Sequence, residues 1–382
     1  MTHMFNVPPS AFWWLLPYHV DLAVLDEMAR NGEFPLFSDL YKSVVFALLF
    51  GVARTVLQRW MFTPLANRAM KLTYSGQERI PEIDAYLRNR KDAKKSADEV
   101  CKELCSVTGQ QKPLVQRYLW NGRRDAVNEK KVVKFSEALW RAIFYSFFIV
   151  LGAYTLFVPE TASWILDTQQ NWQDWPHHAM SPLMDLYLQL ELGCYLHQLF
   201  WTEVTRSDAF EMILHHLITI TLIVMCYPCN FFRAGSTILL VHDSADIFLE
   251  YGKCLNYISK VPEHKAWASR ATDVCFAFFA TFFFVTRLVI FPRYCVYSLI
   301  FEAPSVFGMW GGFWPNFLLY GTLQLLHVFW FVLILKMAYK IVTVGEVEKD
   351  VRSDDEGEEE QGPAKAPTAA VTHEKDGDKK DN

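Results

Sequence analysis

The sequence predicts an all-α polytopic membrane protein of about seven transmembrane helices, and three observations carry that prediction. Aromatic residues make up 15% of the 382 residues, with 30 Phe and 13 Trp, well above ordinary globular usage. The excess is gathered into apolar blocks near residues 39–59, 138–158, 183–203, 210–226, 233–253, 272–292 and 315–340, each about long enough to cross roughly 30 Å of hydrocarbon. Basic residues collect on alternate connections, as the positive-inside rule requires of a threaded bundle. The net charge of −5 averages a basic middle and an acidic tail, so it excludes no function class by itself.

Taken in order, residues 1–37 carry Pro8, Pro9, Trp13, Trp14, Pro17 and Pro35 and suit a lumenal, interfacial segment rather than a span. Phe12 to Leu16 is too short for a signal h-region and follows no basic segment, so no cleavable signal is expected. Residues 38–60 form the first transmembrane helix. Residues 61–137 are soluble and basic, with Lys91, Lys94, Lys95, Arg123, Arg124, Lys130, Lys131 and Lys134 prominent, which assigns them to the cytosol. Seven crossings then leave the amino terminus in the lumen and the carboxyl terminus in the cytosol. The soluble region reads as three short helices, Ile80 to Asn89, Ser96 to Cys105 and Pro113 to about Asn121, and looks like a degenerate homeodomain. Tethering between two spans argues against reading DNA; a structural module, or a cationic surface for lipid headgroups or coenzyme A phosphates, fits better.

Residues 138–340 hold the other six blocks. Of the 8 cysteines only Cys226 and Cys229 are close, in the turn after the fourth span. A lumenal disulfide competes there with two plain buried thiols. His177 and His178, in the Trp-rich loop from Pro159 to Pro182, read as loop residues without chemistry. Residues 341–382 form an acidic low-complexity tail, SDDEGEEE and beyond, with no apolar content to order it. Ser353, followed by Asp354, Asp355 and Glu356, suits an acid-directed kinase. Lys379 and Lys380 stand where a dilysine retrieval signal for the endoplasmic reticulum would be. No Asn-X-Ser/Thr sequon marks the lumenal side.

The chemistry is concentrated in LVHDSADIFLEYGK, residues 240–253. At 100° per residue His242, Asp243, Asp246, Glu250 and Lys253 fall at about 0°, 100°, 40°, 80° and 20°, one ionisable stripe on an apolar helix. Each Asp or Lys at a bilayer centre costs roughly 2.5 to 3.5 kcal/mol, whereas a Leu or Phe returns only about 0.3 to 0.6. Such a helix spans a membrane only if the stripe faces a protein-lined cavity, where intramembrane charge marks function. The preceding span adds Glu211, His215, His216 and Thr219, with Glu211, His215 and Thr219 on one face.

Three site chemistries compete. A di-iron hydroxylase needs several histidine boxes, and residues four and five before His216 are Met212 and Glu211. A zinc hydrolase could use His215, His242 and His327, but three carboxylates dilute that ligand set. Imidazole and carboxylate acting directly, His as nucleophile or general base and Asp as its partner, need neither metal.

FEMILHHLITI, LVHDSADIFLEYGKCLNY and the upstream stretch from Lys134 to Tyr145 together resemble a ceramide synthase of the TLC-domain family, in continuous order over about residues 75–340. Tyr118 and Leu119 stand where that family usually has a Trp-Phe pair. The resemblance implies a six-helix TLC catalytic domain around a lipid cavity at 138–340, and N-acylation of a sphingoid base by fatty acyl-CoA as co-substrate, without cofactor or metal. For that reaction the residues themselves suggest His215, His216, Asp243 and Asp246 as catalytic, His242, Glu250 and Glu211 as a supporting polar face, and Arg206 and Lys253, at the cytosolic rim, as coenzyme A contacts. The resemblance further implies membrane lipids and a homo- or heterodimer as partners. An influence of the connection from Ile300 to Gly312 on acyl length is implied as well. A non-enzymatic TLC lipid sensor or translocation accessory, and a proton-coupled transporter, are the rival readings.

Overall fold

In the computed structural model the described residues are 7–344 apart from 77, 79, 90–96, 158–162 and 201–207. Among them every regular element is helical. They fall into two compact units, divided after Lys71 and before Val132.

The leader holds α1 (Leu22–Arg30), whose first turn is capped by the Asp21 carboxylate accepting from the Ala23 N–H at 3.0 Å. Next, α2 (Tyr41–Leu57) runs through a π turn, Gln58–Phe62, into Thr63–Ala69. The smaller unit contains α3 (Pro81–Asn89), α4 (Ala97–Thr108) and the opening turns of α5 (Lys112–Phe157). Then follow α6 (Pro182–Phe200), α7 (Ala209–Met225) and α8 (Phe232–Ser259). Finally α9 (Lys265–Phe283) widens into π-helical Phe284–Val296, and α10 (Phe313–Val344) ends the described chain.

In the smaller unit Ile83, Val100, Cys101, Leu104, Val115 and Tyr118 close a small core. Tyr118 suits it: its hydroxyl donates to Asp84 Oδ1 at 2.8 Å and accepts from the Ile80 N–H at 3.1 Å. The third short helix does not end near Asn121. Past Gly122 the chain is rich in Arg, Ala, Glu and Lys, with no proline to stop it, so α5 runs on unbroken to Phe157.

Among the described residues four helices are long and apolar enough to cross a membrane, within residues 37–69, 112–157, 265–307 and 313–343, which makes this a polytopic helical membrane protein. Of the other three predicted spans, α7 is apolar but only 17 residues long. Buried polar residues dilute the other two, Gln189, Glu191 and His197 on α6 and His242, Asp243 and Glu250 on α8. Leu48, Leu49 and Val52 on α2 and Leu325 and Leu335 on α10 point outward, as a lipid-facing surface requires.

Small residues allow the closest approaches. A Cβ at Gly193 would lie 2.7 Å from Phe46 Cβ and 2.9 Å from the Ser43 carbonyl oxygen, so α6 and α2 touch backbone to backbone, and Ser43 donates to Gln189 beside them. One end of the bundle is closed by aromatic rings: Trp175 stacks on Phe231 at 4.7 Å, with Trp172, Phe307 and Trp310 packed around them. The leader joins this cap, because a Cβ at Gly311 would overlap the Trp14 carbonyl oxygen and one at Gly312 would lie 2.6 Å from that of Leu15. His178 is buried here, its Nε2–H donating to the Gln173 carbonyl at 2.5 Å. Burial first, and the nearby Arg233 guanidinium second, hold its imidazole down to about 4. Cys226 and Cys229 are buried free thiols; the Cys226 Sγ donates to the Leu222 carbonyl at 3.3 Å.

Candidate active site

The polar stripe of α8 divides between two environments. His242, Asp246, Glu250 and Lys253 point toward α5, the π-helical run and α10, whereas Asp243, about 60° away from Asp246 around the helix, turns toward α6. Asp246 accepts from Arg287 Nη2 at 2.7 Å, and the same nitrogen donates to the His242 carbonyl at 2.7 Å. Glu250 is held by Lys253 at 2.8 Å and by Arg141 of α5 at 3.2 Å. Asp243 lies instead beside Glu191 and the Tyr187 hydroxyl of α6.

His242 Nδ1 is 2.6 Å from the Ile238 carbonyl. A carbonyl only accepts, so Nδ1 carries the proton. In the neutral ring Nε2 is then the acceptor, and His327 Nε2 donates to it across 2.8 Å. His327 Nδ1 is left as a buried acceptor without a partner. This pair abuts His215, whose ring lies 6.1 Å from that of His242 and 5.4 Å, edge to face, from Trp330. His216 follows at 5.6 Å from His215 and packs on Tyr195 at 5.8 Å. The Nδ1 atoms of His215 and His216 are buried and unpartnered.

These groups meet at a cavity of about 140 Å³. Its wall includes His215, His216, Asp246, Glu250 and Lys253, together with Arg54, Glu137, Arg141, Tyr145, Tyr195, Arg287 and Trp330. Arg54 comes from α2 and donates to Glu137 Oε1 at 3.1 Å. Every carboxylate on the wall therefore has an Arg or Lys against it, while the imidazoles of His215 and His216, two of the three histidines on that wall, remain available as nucleophile or base.

Of the residues singled out in the sequence, His215, His216, Asp246, Glu250 and Lys253 share the cavity. His242 and Asp243 are buried behind the wall, and Glu211 is half-buried away from it. Arg206, Ser353, Lys379 and Lys380 lie outside the described residues. Sequence reasoning passed over Arg287 and Glu191, although each is an ionisable residue inside an apolar block and intramembrane charge is itself the signal. Among the described residues no group of three or more His, Cys, Asp or Glu has metal-ligand spacing.

The TLC domain profile (TRAM_LAG1_CLN8) matches residues 134–336, from the middle of α5 nearly to the end of α10. The chain is 33% identical over 346 residues to ceramide synthase 4 of Bos taurus, covering 89% of this chain and 84% of that one. It is 32% identical over 349 residues to ceramide synthase 4 of Homo sapiens, with 90% and 84% covered. The chain belongs to the ceramide synthases of the TLC-domain family. Ceramide synthase 3 of Homo sapiens is similar over 92% of the chain, at 29% identity. As a ceramide synthase the chain is an acyltransferase, and the sensor or accessory alternative is not favoured. The matched domain holds both histidine pairs and the three carboxylates of α8, Asp243, Asp246 and Glu250; Arg54, on the wall of the same cavity, comes from outside it.

Proposed function

We propose that the chain moves a fatty acyl group from acyl-CoA to the amine of a sphingoid base, sphinganine or sphingosine, giving a dihydroceramide or ceramide and free coenzyme A. The observation that carries this reading is the adjacent His215 and His216, each with an unpartnered Nδ1 on a buried cavity wall inside an apolar bundle. The relatives, all ceramide synthases, support the product class. One imidazole attacks the thioester carbonyl to form an acyl-imidazole, or takes the amine proton for direct transfer. Asp243 and Asp246 complete the catalytic set, with His242, Glu250 and Glu211 as its polar support. Lys253 and Arg206 meet the phosphates of coenzyme A. No metal or cofactor takes part.

The same reading has seven crossings, with six helices of residues 138–340 around the lipid cavity. The amino terminus is lumenal, the tail from 341 cytosolic, and the membrane that of the endoplasmic reticulum; 61–137 form the cytosolic homeodomain-like region, and the chain pairs with itself or a relative. A cavity of about 140 Å³ is close to one that admits benzene, about 150 Å³. Such a space takes the reacting heads and a few methylenes, so the tails enter by parting helices.

The test is to incubate purified protein with acyl-CoA alone and weigh it intact. An acyl adduct that is absent from His215→Ala or His216→Ala and is discharged by added amine is expected. Normal ceramide formation without any adduct leaves direct transfer; no amide product at all overturns the proposal.

A further inference from the structure

We infer that Glu191 and Asp243 form a buried carboxyl pair that shares one proton and takes up the proton lost by the amine, an inference that rests on the acyl transfer proposed above. In that reaction the thioester C–S bond breaks and a C–N bond forms. The ammonium gives up two protons: one converts the departing thiolate to thiol, and the other needs an acceptor.

The carboxylates on the cavity wall are poor acceptors, because each is already neutralised. Asp246 is 2.7 Å from Arg287, Glu250 is 2.8 Å from Lys253 and 3.2 Å from Arg141, and Glu137 is 3.1 Å from Arg54. The imidazole that carries the acyl group cannot serve either, which leaves its neighbour and the buried carboxyl groups as candidate acceptors. Glu191 and Asp243 are different. They are 0% and 1% exposed, and their carboxyl groups come within hydrogen-bonding reach of each other. Both Glu191 oxygens and Asp243 Oδ2 nevertheless make no well-formed hydrogen bond, although the Tyr187 hydroxyl lies within reach of Glu191 as a donor. Two carboxylates give each other nothing to share, so the contact is explained if one keeps its proton, as like charges in a desolvated site cannot both ionise. The groups facing the pair are Tyr145 of α5, Tyr187, Cys194 and Tyr195 of α6, and the mutually neutralising Asp246 and Arg287. Tyr145 and Tyr195 also line the cavity. Either phenol can hand its proton to the pair while receiving one from the ammonium, and the pair returns it after the amide leaves.

Infrared difference spectroscopy of the full-length protein without substrate reads the shared proton directly. A protonated-carboxyl stretch at neutral pH is expected in the wild type and is expected to vanish in Glu191→Gln, or in Asp243→Asn should the first variant not fold. In turnover, Glu191→Gln should lower kcat about a hundredfold, in the range of general base catalysis, and move the acid limb of its pH profile to lower pH. Glu191→Asp keeps an ionisable partner and should restore much of both. A wild type with no such stretch, a stretch that survives both substitutions, or a Glu191→Gln variant with unchanged rate and profile overturns the pair. Because the spectrum needs no substrate, its outcome is separate from whether the wild type makes an amide at all.

Discussion

Replacing Arg287 by Met tests how far the bundle depends on one intramembrane ion pair. Arg287 is 7% exposed in its side chain and Asp246 20%, and their 2.7 Å contact is joined by a second 2.7 Å bond from Arg287 to the His242 carbonyl. Methionine keeps most of the stem volume and removes both bonds, stranding a carboxylate in a site that water scarcely reaches. Removing one partner of a buried pair costs about 3–5 kcal/mol, a large share of a typical total of about 5–15 kcal/mol. At roughly 2–4 °C per kcal/mol, Tm should fall by about 6 °C or more. Asp246→Asn removes the charge that needs compensating, so the double variant should recover several degrees over Arg287→Met. Thermal unfolding of the four proteins in one detergent measures the coupling. An Arg287→Met variant within about 1 °C of the parent, or a double variant no better than the single one, would refute the assignment of this pair as a stabilising contact.

Gly311→Ala should loosen the leader. Its Cβ would overlap the Trp14 carbonyl oxygen, and overpacking of this kind costs roughly 1–3 kcal/mol, visible as a lower Tm and faster proteolysis before α1. The His178 imidazole is held at about 4 by burial, below the usual value near 6.5, so the fold favours its neutral form. Its stabilising contribution is complete above about pH 6.5 and is lost as pH falls from there through 4. His178→Gln should therefore flatten the loss of Tm between pH 7 and pH 4.5.

Hydropathy and the angular stripe made much of this molecule legible. The apolar blocks became helices because a backbone in hydrocarbon must satisfy its own hydrogen bonds. The α8 stripe was visible because 100° steps need no tertiary knowledge. What periodicity could not supply was the partners. Asp243 and Asp246 differ by a modest rotation, but that rotation decides between Glu191 on α6 and Arg287 on the π-helical run, and both partners come from distant parts of the chain. Arg54 was likewise invisible as a cavity residue, since at the end of an apolar block it reads as a boundary charge. The continuous α5 was missed because three short helices were expected to stop where Gly122 only weakens the helix.

The meeting of Trp14 and Leu15 with Gly311 and Gly312 has a bearing on how the chain is made. Trp14 and Leu15 meet the connection preceding the final helix only once it has been synthesised, nearly three hundred residues later. Until then Leu15 and Leu16, buried in the finished molecule, lack the Gly311–Gly312 backbone that closes over their segment. This segment is thus made early and docks late, and chains that stop before Gly311 would display it as a mark of incomplete assembly.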